Sequence, residues 1–133
     1  MNGDERAARM NELALQGRCC TQVLVQVALD ELGARNEQMV DAVAALCVGM
    51  FSGADCGALA GGALAMALRG SPPLDGALVA ELVDWFRGEY GSLACCDLVG
   101  DGLLDRFTKC PPIMARTYET AMQILADRGK LSS

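Results

Sequence analysis

The chain has 133 residues, of which 52% are hydrophobic and 5% aromatic, and this length allows one domain with its own core, predicted to span residues 1–133. Its formal net charge of −6 at pH 7, without a strongly basic stretch, argues against a nucleic-acid partner. Seven cysteines and no histidine exclude a Cys–His nucleophile, a mixed Cys/His zinc site and a c-type haem attachment motif.

Hydrophobic residues recur at three-to-four spacing along most of the chain, which predicts helices. The predicted helices cover residues 4–16, 20–32, 36–48, 55–68, 74–90 and 111–128, and a further short helix covers residues 95–99. Asp4 and Asp55 are the expected N-caps of the first and fourth helices, and Gly17 ends the first. Pro111 and Pro112 fall in the first turn of the last helix, where their missing N–H groups cost little. The predicted fold is all-α, a single compact helical bundle of about six helices with a glycine-rich central helix.

The longest apolar stretch, residues 42–68, is predicted to form two buried helices rather than a membrane span. Asp55 lies within it, where a carboxylate at the bilayer centre costs roughly 2.5–3.5 kcal/mol, and each half is shorter than the roughly 20 residues that a span needs. The N-terminal residues are charged and lack the apolar region of a secretory signal. We therefore expect a cytoplasmic protein in a reducing compartment, where cysteine clusters more often serve metal or redox chemistry than disulfide frameworks.

Cys56 lies in the predicted first turn of the glycine-rich helix, directly after its N-cap. The partial positive charge and the N–H groups of a helix start lower the pKa of a thiol, which makes it a better nucleophile and metal ligand. Gly57, Gly61 and Gly62 each cost about 1 kcal/mol relative to alanine within a helix. This cost predicts that another helix, or a bulky buried group such as a metal cluster, approaches the helix closely.

Two further cysteines lie at predicted helix starts. Cys20 begins the second predicted helix, and Cys110 directly precedes Pro111 at the start of the last one. Three thiols at three helix starts favour a functional role over inert burial, although buried structural cysteines are common. Cys47 lies instead within an apolar stripe in the middle of a predicted helix, and we interpret it as a core residue.

Cys19 and Cys96 are the unassigned neighbours in two Cys-Cys pairs, with Cys20 and Cys95 respectively. Adjacent cysteines rarely bond to each other because the resulting ring is strained. One member of each pair is therefore expected to face a site and the other to point away. Since the chain contains no Cys-x-x-Cys motif, any site must be assembled from distant helices.

The order of the cysteines resembles the C_GCAxxG_C_C family of small bacterial and archaeal redox-active proteins. The resemblance covers nearly the whole chain and rests on Cys20, on Cys56-Gly57-Ala58-Leu59-Ala60-Gly61, on Cys95 and on Cys110. Cys20-Thr21-Gln22 is similar to the family's first cysteine segment, often Cys-Ala-Gln, and residues 95–100 are similar to its third, typically Cys-Arg-Glu-Leu-Leu-Gly. This register selects Cys20 over Cys19 and Cys95 over Cys96, and it leaves Cys19 and Cys96 as additional thiols.

The resemblance implies a redox-active protein in which Cys20, Cys56, Cys95 and Cys110 converge as redox-active thiols or metal ligands. The four could ligate an iron–sulfur cluster, or could exchange electrons as two dithiol/disulfide pairs with a redox partner protein or a small thiol donor. They could also hold a structural zinc ion, which would suit the alternative of a non-catalytic helical interaction or metal-handling module. No paired carboxylates, phosphate-binding loop or serine triad identifies an enzymatic reaction, and a homo-oligomer is compatible with the sequence.

Overall fold

In the computed structural model, residues 1–99 and 103–132 are described, with the backbone alone for residues 103–107. Within these ranges the chain forms seven α-helices, and its extended residues pair only as isolated bridges. The helices are α1 (Gly3–Leu15), α2 (Cys20–Leu32), α3 (Glu37–Ala42), α4 (Gly57–Arg69), α5 (Gly76–Tyr90), α6 (Cys95–Val99) and α7 (Leu103–Asp127). The prediction of an all-α fold is therefore confirmed.

The boundaries of α2 and α6 are those predicted from the sequence, whereas the boundaries of the other helices differ. Asn2 rather than Asp4 caps α1, because the Asn2 side chain accepts a hydrogen bond from an amide of the first turn. Pro111 and Pro112 lie inside α7 rather than in its first turn. Each of these prolines removes an N–H donor from α7, and its ring crowds a carbonyl of the preceding turn.

The glycine-rich helix α4 packs against α2, α5 and α7. A Cβ atom on Gly61 would come within 3.0 Å of the Leu24 Cβ on α2, and one on Gly62 within 2.8 Å of the Thr117 Cγ2 on α7. Both distances are shorter than an ordinary van der Waals contact. Of the two sequence explanations for these glycines, close helix packing is therefore the one that the structure supports.

The chain after α3 does not continue as the single helix predicted over residues 36–48. A 3₁₀ helix over Val43–Leu46 follows α3, and residues 48–53, here called the left-handed segment, then adopt positive φ at every position except Ser52. A Cβ on Gly49 would overlap the backbone of Ala54, so this position requires glycine. The segment divides the apolar stretch 42–68. In the part of the chain that is described, no helix combines the length and apolar character that crossing a membrane requires.

A partly buried ion-pair network joins four of the helices. Glu31 of α2 lies 3.1 Å from Arg6 of α1 and 3.0 Å from Arg69 of α4, and it accepts a hydrogen bond from the Tyr118 hydroxyl of α7. Burial acts to raise the pKa of Glu31, but the hydrogen bonds from Tyr118 and Arg6 and the charges of both arginines outweigh it. The pKa of Glu31 therefore lies below its ordinary value, and the carboxylate stays charged at neutral pH.

Candidate functional site

Five cysteines line one cavity of about 270 Å³. Four of them, Cys20, Cys56, Cys95 and Cys110, are the site residues selected from the sequence, and the fifth is Cys19. The rest of the described lining is mostly apolar, with one charged side chain, and consists of Ala14, Gly17, Arg18, Val48, Gly57, Val99, Pro111 and Met114. The fold thus brings the four thiols to one space, while their chemical role stays a prediction.

Cys20 and Cys110 are in hydrogen-bond contact at this cavity. Cys20 is the first residue of α2, as predicted, whereas Cys110 lies inside α7, so its predicted position at a helix start is wrong. The hydrogen bond with Cys110 is the largest cause of a Cys20 pKa well above its ordinary value, followed by burial and by the charges of the other cavity thiols. Cys20 therefore keeps its proton at neutral pH while it is in contact with the Cys110 sulfur. Two thiols in contact are the arrangement from which a disulfide forms.

The backbone places Cys56 and Cys95 diagonally across an antiparallel bridge. The Cys56 N–H donates to the Leu93 carbonyl at 2.6 Å, and the Cys95 N–H donates to the Ala54 carbonyl at 2.8 Å. These two bonds flank an antiparallel bridge between the two chain segments. Because side chains alternate along extended backbone, both cysteines lie on the same face of the bridge. Both are buried and both line the cavity.

The pKa of Cys56 is raised, which corrects the prediction of a lowered value. Burial is the largest influence and raises the pKa, whereas the backbone N–H groups of Ala58 and Leu59 lower it by less. Cys56 is itself the N-cap of α4 rather than a first-turn residue, and Asp55 does not cap the helix. The helix N–H groups act on the sulfur in the expected direction, but desolvation of the thiolate outweighs them.

Cys19 and Cys47 form a disulfide, with Cα atoms 5.8 Å apart. Cys19 is the N-cap of α2 and lines the cavity, whereas Cys47 is buried. The interpretation of Cys47 as a core residue is confirmed by its burial, and its sulfur is in addition bonded to Cys19. The expectation that one member of each Cys-Cys pair points away fails for this pair, since Cys19 and Cys20 both line the cavity.

This disulfide could have been predicted from the sequence if α2 and α3 had been recognised as a helix hairpin. After α2 ends, Gly33 adopts a left-handed conformation and α3 packs back along α2, where the Gln22 side chain donates to the Val40 carbonyl at 3.0 Å. A chain that turns in this way returns to the level of the α2 N-terminus. The separation of 28 residues between Cys19 and Cys47 matches such a hairpin.

Cys96 lies outside the cavity and is exposed. Its sulfur is 3.9 Å from the Asp97 Oδ1 atom. A Cβ on Gly53 of the left-handed segment would lie 3.1 Å from the Cys96 Cβ. In this pair Cys95 therefore faces the cavity and Cys96 faces away, which is the arrangement expected from the sequence.

The donor set of the cavity is cysteine alone, and such a set suits an iron–sulfur cluster or zinc. Across the described residues, no three Cys, Asp or Glu side chains are arranged to hold a single metal ion. The cavity of about 270 Å³ leaves space for a group larger than one ion.

Comparison with known families shows where this arrangement belongs. The model of a family described as "Putative redox-active protein (C_GCAxxG_C_C)" matches residues 18–124. The chain belongs to this family. The resemblance to C_GCAxxG_C_C proteins read from the cysteine order is thus confirmed, and the matched residues include all seven cysteines. No curated protein and no solved structure matches the chain.

Proposed function

We propose that this C_GCAxxG_C_C protein is a dithiol/disulfide electron carrier in which Cys20 and Cys110 form the first reactive pair. The observation that carries the proposal is the hydrogen bond between these two thiols at a cavity. Oxidation joins the two sulfur atoms and releases two electrons and two protons, and reduction reverses this step. Cys56 and Cys95, which lie on the same face of the backbone bridge and line the same cavity, form the second pair.

The electrons pass to or from a disulfide of a partner protein or of a small thiol compound, by attack of a thiolate on a disulfide sulfur. The raised pKa values of Cys20 and Cys56 keep both thiols protonated at neutral pH, which protects the reduced site from unspecific oxidation. Arg18 contributes the charged side chain of the lining, and its guanidinium lies 3.7 Å from the Asp41 carboxylate. The reaction therefore depends on removal of a proton at the cavity.

Disulfide mapping across a glutathione series tests this proposal. The reduced protein is equilibrated anaerobically with rising ratios of oxidised to reduced glutathione, quenched with acid, alkylated and analysed as peptides. We expect linked peptides of Cys20 with Cys110 and of Cys56 with Cys95, while Cys96 is alkylated throughout because it lies outside the cavity. A Cys20→Ser variant should lose the first link, and the matched Cys96→Ser variant should keep both. If no disulfide forms among the four cavity thiols at any ratio, the proposal is wrong.

We propose an iron–sulfur cluster as the second candidate, supported by four cysteines around a cavity with space for a group larger than one ion. Cys20, Cys56, Cys95 and Cys110 would hold the cluster, which would supply one-electron transfer at this site. Anaerobic purification or reconstitution, with measurement of visible absorption, iron, sulfide and zinc, tests it. Absorption with matching iron and sulfide that Cys56→Ser removes and Cys96→Ser retains would support the cluster. Colourless protein with one zinc per chain would favour the metal-handling alternative.

A further inference from the structure

Cys19 belongs to two cysteine groups at once. Its sulfur is bonded to Cys47, and its side chain lines the same cavity as the Cys20–Cys110 pair. Neither Cys19 nor Cys47 is among the four cysteines on which the family resemblance and the proposed function rest. The fold therefore places an existing disulfide beside a pair of thiols that are in contact with each other.

We propose that the Cys19–Cys47 disulfide exchanges with the Cys20–Cys110 thiol pair and so forms a second two-electron couple of the same site. This proposal rests on the proposed function, because it requires that Cys20 and Cys110 form a disulfide. It assigns Cys19 as the residue through which the two couples meet, since Cys19 lines the cavity and Cys47 is buried. Six of the seven cysteines then share one redox system, and Cys96 stays outside it.

The exchange proceeds through two thiolate attacks. In the first, the Cys110 thiolate attacks the Cys19 sulfur, a Cys19–Cys110 bond forms, the Cys19–Cys47 bond breaks, and Cys47 leaves as a thiolate that takes up a proton. In the second, the Cys20 thiolate attacks the Cys110 sulfur and releases Cys19, which is protonated in turn. Cys20 and Cys110 together lose two electrons and two protons, and Cys19 and Cys47 gain them. No outside oxidant or reductant is needed.

Two observations assign the first attack to Cys110 rather than to Cys20. Cys20 follows Cys19 directly in the chain, and a bond between adjacent cysteines closes a strained ring. Cys110 also lines the same cavity as Cys19 and is in contact with Cys20, which makes the second attack. The route through Cys110 joins only residues that are distant in the sequence, so each intermediate bond can adopt ordinary disulfide geometry.

A trapping experiment tests the exchange. The Cys20→Ser variant, isolated with Cys19 bonded to Cys47, is incubated anaerobically without added thiol, alkylated at intervals and mapped as peptides. Because the second attack is absent, we expect the Cys19–Cys110 link to accumulate and Cys47 to become alkylated, at a rate independent of protein concentration. The Cys110→Ser variant should lose this conversion and keep Cys19–Cys47. The matched Cys96→Ser variant should behave like the unmodified chain.

The unmodified chain provides a second measurement that does not depend on a variant folding. Reduced protein is partly oxidised with oxidised glutathione, the glutathione is removed, and the links are mapped with time. Interconversion of Cys19–Cys47 and Cys20–Cys110 to one fixed ratio supports the exchange. If glutathione produces a Cys20–Cys110 disulfide but Cys19–Cys47 never converts, the exchange is wrong and the proposed function stands. If glutathione produces no Cys20–Cys110 disulfide, the proposed function fails, and the exchange fails with it.

Discussion

At the scale of single residues, the cavity thiols differ in how strongly their surroundings hold the proton. The pKa of Cys20 is raised first by its hydrogen bond with Cys110, whereas the pKa of Cys56 is raised first by burial. The thiolate is the nucleophile in alkylation as in disulfide exchange, so a raised pKa moves the reactive range to higher pH. The two cysteines should therefore respond differently to loss of the Cys110 sulfur.

Alkylation rates measured against pH test this difference. In the reduced protein, the iodoacetamide reaction of Cys20 and Cys56, followed by peptide mass spectrometry, should have its midpoint above the ordinary cysteine pKa of about 8.5. In the Cys110→Ser variant, the midpoint of Cys20 should fall toward that value because its largest upward influence is gone. The midpoint of Cys56 should move little, since Cys110 is the smallest of its influences. Equal shifts for both would contradict the assignment of the Cys20–Cys110 contact.

The identity of the site cysteines could be predicted from the sequence, but their pKa values could not. The sequence alone allowed four site residues to be selected, because it contains the cysteine order and the glycine motif of the family. These are Cys20, Cys56, Cys95 and Cys110. Their pKa values could not be predicted, because the sequence places a thiol near helix N–H groups but does not show how deeply it is buried. For Cys56 the burial decides the direction.

At the scale of secondary-structure elements, the glycines of α4 allow it to pack closely against its neighbouring helices. A Cβ on Gly62 would lie 2.8 Å from the Thr117 Cγ2, and Thr117 is fully buried and cannot move aside freely. Gly88 is an exposed glycine inside α5 with nothing within 4 Å of its Cβ position. The two glycines therefore share a helical setting and differ in packing.

Alanine at these two positions should have opposite effects on stability. We expect Gly62→Ala to lower the free energy of unfolding by about 1 kcal/mol. Overpacking costs about 1–3 kcal/mol, and the higher helix propensity of alanine offsets about 1 kcal/mol of this cost. We expect Gly88→Ala to raise it by about 1 kcal/mol through helix propensity alone. Urea unfolding of both variants gives the two values. Stabilisation by Gly62→Ala would show that α4 and α7 are not in close contact at this position.

The left-handed segment contains a residue, Met50, whose backbone conformation is unfavourable for a side chain other than glycine. Met50 has φ of 56° and is 57% exposed, so its backbone is strained while its side chain contributes little burial. A left-handed conformation costs a non-glycine residue about 1–2 kcal/mol. Met50→Gly should therefore raise the free energy of unfolding by about 0.5–1 kcal/mol after the entropy cost of glycine. Met50→Ala removes the same side chain without relieving the strain, and an equal gain from both variants would contradict the explanation.

The elements differ in how far the sequence predicts them, and the difference has a physical cause. α2 could be predicted to its boundaries because its apolar spacing and its terminal Gly33 are local signals. The left-handed segment could not be predicted, because Val48, Met50 and Phe51 adopt positive φ against their own preference. It is flanked by contacts between distant residues, the Cys19–Cys47 disulfide on one side and the backbone pairing at Ala54 on the other.

At the scale of the whole molecule, the Glu31 network connects α1, which carries no cysteine, to α2, α4 and α7. Its members come from α1, α2, α4 and α7, and their side chains are mostly buried, with Glu31 7%, Arg6 17% and Arg69 12% exposed. Removal of one charge from a buried network leaves its partners uncompensated and costs about 3–5 kcal/mol. An exposed pair such as Arg35 with Glu37, 87% and 80% exposed, contributes about 0–1 kcal/mol.

Glu31→Gln should therefore lower the free energy of unfolding at neutral pH by about 3 kcal/mol, and the matched Glu37→Gln by less than about 1 kcal/mol. Because the pKa of Glu31 is lowered by folding, its contribution is present above the unfolded-state pKa of about 4.3 and is lost as the pH falls through the lower folded-state pKa. The difference between the unmodified chain and Glu31→Gln should thus shrink in acid. Urea unfolding at neutral and acidic pH, followed by Trp85 fluorescence, measures it. A difference that stays constant down to strongly acidic pH would show that the variant loses packing rather than the charge of Glu31.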